Sequence, residues 1–236
     1  MLLASGAASL TFESLFFRLA AIAFGGSVIA ASIVLCAFMS GLALGNILAA
    51  RFGDRVRSPL RAYAMAELAI GISGCVVVAV LPGLGESLAP IFRPSAAIPA
   101  LQNLERFLAA FVILLLPTTA MGITLPVILA SGFRSDSNFG SVLGRLYAWN
   151  TAGGIIGVLA AEGLLVARLG ITATAWAAAA LNLAAACAAV ALARDGAAPE
   201  RAAAVVRQSW RSAEEFNVNT GLWLDSLFVQ LRRAFA

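Results

Sequence analysis

FLAAFVILLLPTTAMGITLPVILA, residues 107–130, runs without a charged side chain. A helix needs about 20 mostly apolar residues to cross roughly 30 Å of hydrocarbon, so this stretch is long enough to span a bilayer. Applied along the chain, the same criterion predicts helices near residues 2–24, 27–50, 60–82, 104–130, 145–167 and 171–193. The fold class that follows is all-α: a polytopic membrane protein of about six transmembrane helices. Residues 1–193 form the transmembrane domain and residues 194–236 a cytoplasmic tail.

Composition agrees. Of 236 residues, 61% are hydrophobic and 12% charged, with a mean hydropathy of +0.92, where soluble domains are roughly 45 to 50% apolar and about 25% charged. The net charge is +4, but every basic residue is an arginine set between apolar blocks. That spacing suits membrane topology and excludes a nucleic-acid-binding face. Histidine is absent, and Cys36, Cys75 and Cys187 lie singly in apolar stretches. No metal site, cofactor or disulfide framework is therefore expected. The opening Met1-Leu2-Leu3 lacks the basic leader of a secretory signal peptide.

The arginines orient the spans. Arg51, Asp54, Arg55, Arg57 and Arg61 lie between the second and third, and Arg134, Asp136 and Arg145 between the fourth and fifth. Positive charge concentrates in cytoplasmic loops, so both links face the cytoplasm and both chain ends fall inside. The opposite links are Gly25-Gly26-Ser27, the segment with Glu86 and Arg93, and a turn at Arg168. Pro82, Pro90, Pro94 and Pro99 prevent a continuous helix over residues 83–103, which are expected to form an extracytoplasmic loop with room for a short interfacial helix. In the tail, Leu224, Leu227, Phe228, Leu231 and Phe235 recur at helical spacing opposite Asp225, Gln230, Arg232 and Arg233. That amphipathic helix suits either the headgroup plane or a docking partner.

Helices in lipid associate through close backbone packing, for which small residues every fourth position are the usual device. Gly41 and Gly45 begin such a stripe in the second span, continued by Ala49 and Gly53. Gly153 and Gly157 begin one in the fifth, continued by Ala161. Pro117 and Pro126 kink the fourth span, where Thr118, Thr119 and Thr124 stand ready to bond the exposed backbone. Interrupted helices of this kind mark substrate sites in some transporters.

A charge at the bilayer centre costs about 2.5 to 3.5 kcal/mol on insertion scales, so intramembrane ionisable groups face a bundle interior, a cavity or a partner. Arg18 and Glu162 fall at similar depth and are expected to form a structural ion pair. Glu13 and Glu67 have no basic residue at comparable depth, and with Asn150 they are the candidate substrate-binding residues. Protonated or snorkelling carboxylates are the competing reading. Asn46, Asn150 and Asn182 are also candidates for hydrogen bonds between helices.

Several stretches taken together resemble a known family. They are Glu13 with Arg18 five residues on, Phe24-Gly25-Gly26-Ser27, AFMSGLALG at 37–45, Asp54-Arg55, LPTTAMGITLP at 116–126, and GRLYAWNTAGGIIG at 144–157 followed by Leu169-Gly170. In that order they resemble the membrane portion of bacterial proteins that fuse a major-facilitator-like helical region to a spermidine-synthase-like domain. Phe12 and Phe16 stand where Tyr and Trp are expected, and Glu162 has no place in the family pattern. The resemblance implies half of a major facilitator in a bacterial cytoplasmic membrane: a transporter-like unit for polyamines or other organic cations, working as a homodimer or with a second membrane half. The synthase-like domain would need a glycine-rich loop after a strand, and the tail after residue 193 contains none. Aminopropyl transfer by this chain alone is therefore not expected. The alternative implied by the resemblance is a membrane anchor for a separately encoded aminopropyltransferase-like partner.

Overall fold

In hydrocarbon every backbone N–H and C=O must be satisfied within the protein, which leaves the apolar runs of this chain one local solution, the helix. The computed structural model describes residues 1–24, 26–92, 94, 97–130 and 139–195, and among them there is no strand. The helices are α1 (Leu2–Phe24), α2 (Val28–Phe52), α3 (Pro59–Phe92), α4 (Pro99–Ala130), α5 (Phe139–Ala160) and α6 (Val166–Asp195). A short 3₁₀ turn, Gly53–Arg55, follows α2, and a π-helical turn, Ala161–Leu165, joins α5 to α6. The chain is an all-α polytopic membrane protein.

Five helical runs are long and apolar enough to cross a membrane, and the last, Leu143–Arg194, is 52 residues long. That is more than twice the length one crossing needs. Gly170 divides it: at φ 81° and ψ 172° its backbone is not helical, in a region of conformational space that glycine enters without steric cost. Two spans result, giving the six segments that the apolar runs predict. By contact the chain forms two units, Met1–Ala189 and Val190–Ala236. Of the second, the described residues are the end of α6. Gly25, Arg93, Arg134, Asp136 and the amphipathic stretch at 224–235 lie outside the described residues.

The helix starts follow local rules. Ser27, in extended backbone, caps α2 by accepting a 3.1 Å hydrogen bond from the Ala30 amide, which satisfies one of the orphan donors of the first turn. Proline opens both α3 and α4, where its missing N–H costs nothing.

The proline-rich link differs from expectation. Pro82 and Pro90 lie inside α3 and Pro99 begins α4, so residues 83–103 are largely helical and the break falls at residues 93–98. Each internal proline removes one backbone bond, and both rings are exposed, away from the neighbouring helices. A helix of 34 residues absorbs two such losses. The threonines of α4 also differ in detail. Thr118 donates to the Leu114 carbonyl at 2.6 Å and Thr124 to Met121 at 2.8 Å. The carbonyls that Pro117 and Pro126 release belong to residues 113 and 122, so these bonds land one residue away. The Thr119 hydroxyl is buried without a partner.

Small residues bring the helices together in pairs. On α2 against α4, a Cβ added at Gly45 would stand 2.2 Å from the Thr119 carbonyl oxygen, and one at Gly122 would stand 2.3 Å from that of Leu42. Gly41 faces the Thr118 side chain in the same contact. On α1 against α5, Gly153 lies against the Leu3 carbonyl and Gly157 against that of Ala7, while Gly6 answers from α1 against Asn150. Thr11 of α1 adds a 3.2 Å hydrogen bond to the Gly157 carbonyl. Between these pairs Phe12, Leu15, Phe16, Ile70, Leu81 and Leu114 fill the interior. Phe12 stacks on Phe16 at 5.8 Å, and its ring occupies the room left by Gly74 of α3.

Because a side chain at Gly45 would have to displace backbone, Gly45→Val is expected to destabilise the protein by at least the roughly 1 to 3 kcal/mol typical of overpacking. Gly163→Ala, where a Cβ meets nothing within 4 Å, is the control. Thermal unfolding of the detergent-solubilised protein compares the two.

Candidate functional site

Tyr63 and Glu67 are four residues apart on α3 and so share one helix face. Both are fully buried. The Ser5 hydroxyl of α1 donates to Glu67 Oε1 at 2.5 Å, and the Asn182 amide of α6 donates to Glu67 Oε2 at 2.6 Å. Three helices therefore converge on one carboxylate, about 12 Å along α3 from Pro59 at 1.5 Å per residue. Glu67 forms no ion pair among the described residues. The positive charge acting on it from a distance is the amino group of Met1.

Beside it Asn182 Oδ1 is buried without a partner among the described residues, while the Tyr63 hydroxyl, a donor, faces Glu67 and Ser5. An ionised carboxylate offers about four lone-pair positions, and Ser5 and Asn182 occupy two of them. The cluster thus retains acceptor capacity on Glu67 and Asn182 in a place where unused hydrogen-bonding capacity is costly.

The cluster lies at the wall of a cleft of about 460 Å³ between α3 and α6, lined by Glu67 and Asn182 together with Leu68, Ile72 and Val76 of α3 and Trp176 and Leu183 of α6. Cys75 also faces it and leans on the Ala175 carbonyl at 3.7 Å. Apart from the carboxylate, the amide and this thiol, the lining is apolar.

The remaining candidates lie elsewhere. Glu13 is half-buried, stands two helical turns beyond Ser5 on α1, and shares no hydrogen bond with Glu67 among the described residues. Asn150 presents its backbone carbonyl to Gly6, and its side chain makes no described bond to Glu67. Asn46 donates to the Leu42 carbonyl of its own helix at 3.0 Å, so of the three asparagines Asn182 is the one that joins two helices. Thr174, also fully buried, bonds the Gly170 carbonyl at 2.7 Å, where the helical run breaks.

Arg18 and Glu162 form an ion pair, and Ser14 donates a hydrogen bond to the same carboxylate. The side chains are 44% and 40% exposed, on the outer surface of the described helices. Glu162 belongs to the π-helical turn, a local widening that in other proteins often marks functional positions. Sequence reasoning did not reach Ser5, Ser14, this turn or the pairing of Asn182 with Glu67. The one available signal was the Tyr63-to-Glu67 spacing. Among the described residues, no group of three His, Cys, Asp or Glu side chains could hold a metal ion.

Comparison with known protein families, characterised proteins and solved structures gives no match.

Asn182→Leu removes the donor to Glu67 Oε2 and leaves a buried acceptor unpaired. A loss of about 1 to 3 kcal/mol is expected, with a larger effect than Asn46→Leu, whose bond stays within one helix. Denaturant titration of the purified protein measures both.

Proposed function

We propose that the chain is a transporter-like membrane unit for organic cations and that Glu67 is the carboxylate that meets the cation. The observation that carries the reading is a fully buried carboxylate with no ion-pair partner among the described residues, held by groups from three helices at the wall of a cleft. An isolated buried charge is expensive, so such groups take a counter-charge or a proton. A carboxylate that alternates between a cation and a proton is the chemistry of coupled transport.

The exposed Arg18–Glu162 pair supports the view that the unit does not work alone. Charged groups at membrane depth face water or protein, and this pair lies on the outside of the described bundle. A second copy of the chain, or another membrane half, would cover it or enclose a water-filled space over it. The resemblance to half of a major facilitator agrees with that reading and extends the candidate substrates to polyamines. The arginines around the turn between α2 and α3 support a cytoplasmic position for that end of the bundle and, with six crossings, for both termini.

In proteoliposomes containing the purified chain, uptake of radiolabelled organic cations is expected to exceed that of empty vesicles, and Glu67→Gln is expected to return it to the empty-vesicle level. Wild-type uptake by a correctly folded Glu67→Gln variant defeats the assignment. Glu13→Gln, run in parallel, tests whether the second carboxylate contributes.

A further inference from the structure

The cleft narrows the substrate class. We infer that it binds a primary amine carried on an apolar chain, with the ammonium at Glu67 and Asn182 and the chain lying between α3 and α6, an inference that rests on the assignment of Glu67 as the cation-meeting carboxylate.

The head site is defined by what is left unpaired. Glu67 keeps unused lone pairs after bonding Ser5 and Asn182, and Asn182 Oδ1 has no partner among the described residues although the residue is fully buried. A primary ammonium carries three N–H donors and no acceptor. Its donors therefore meet acceptors on Glu67 and Asn182, and the positive charge meets the carboxylate. A quaternary ammonium has the charge without the donors and leaves the Asn182 oxygen unsatisfied. An alcohol has a donor without the charge.

The tail site is defined by the lining. Beyond Glu67 and Asn182 the cleft runs between Leu68, Ile72 and Val76 on one side and Trp176 and Leu183 on the other. Among the described residues no second acidic side chain lines it, so the next ammonium of a polyamine would lie against aliphatic side chains and lose its hydration without replacement. An alkyl or aryl body is the complement of such a wall. At about 460 Å³ the cleft falls within the size range of small-molecule sites. The same head-and-chain chemistry has two sources, a free amphiphilic amine or a phospholipid with an aminoethyl headgroup.

Native mass spectrometry of the full chain released from detergent tests the inference with dodecylamine, dodecyltrimethylammonium and dodecanol as probes. The expected result is a one-to-one adduct with dodecylamine that is at least about tenfold weaker for the other two probes. It is also expected to be lost in Glu67→Gln and weakened in Ile72→Trp, which fills the cleft from a position that is 67% exposed. Equal adducts with all three probes overturn the inference, as does a preference for the amine that survives both substitutions. The probe series needs only the wild-type protein and remains decisive if Glu67→Gln does not fold. Release from mixed-lipid nanodiscs separates the sources: retention of phosphatidylethanolamine over phosphatidylcholine identifies the lipid, and retention of neither with dodecylamine still bound identifies a free amine. Amine binding without any cation uptake defeats the transport reading and leaves the site standing. Uptake that depends on Glu67 without amine binding defeats the site and leaves transport standing.

Discussion

The arrangement rests on backbone meeting backbone. Lipid tails are as apolar as the helix surfaces, so there is little hydrophobic gain in bringing two spans together, and attraction must come from close van der Waals contact and a few hydrogen bonds. At Gly45 and Gly122, and again at Gly153 and Gly157, the neighbouring helix approaches within the space a methyl group would need. These contacts set the α2–α4 and α1–α5 pairs. The α1–α5 contact runs alongside Ser5, which reaches Glu67 on α3. The polar cluster exists because helices that share no sequence neighbourhood are held at a fixed spacing by residues with almost no side chain.

The two glutamates of interest illustrate opposite solutions to the same problem. Glu162 keeps its charge by pairing with Arg18 and accepting from Ser14, and it does so at the outside of the bundle. Glu67 is buried at the wall of the cleft and is held by neutral donors. The first arrangement is complete in itself. The second leaves charge and hydrogen-bonding capacity open, and that difference makes Glu67 the stronger candidate for chemistry.

Much of the architecture was legible because it depends on local composition. Length and apolarity alone locate the spans, and the glycine stripes at 41 and 45 and at 153 and 157 announce the contact faces. The Arg18–Glu162 pair could be inferred by matching depth. Pro82, Pro90 and Pro99 misled because a proline rule written for one hydrogen bond was applied to a helix of 34 residues, in which two exposed prolines remove only two bonds. The Glu67 cluster was only half legible. Its carboxylate stands out as unpaired, but Ser5 and Asn182 lie 62 and 115 residues away in sequence, and no periodicity links positions that distant. The π-helical turn at Glu162 was not legible at all, since a single wide turn leaves the surrounding apolar pattern intact.

The helices of this bundle differ in length. At 1.5 Å per residue α1 measures about 35 Å and α3 about 51 Å, against hydrocarbon of roughly 30 Å. Helices that share one bilayer but differ so much in length must tilt or overhang to different degrees. Because α3 forms one wall of the cleft, its share of tilt and overhang sets the depth at which Glu67 and the cleft sit in the bilayer.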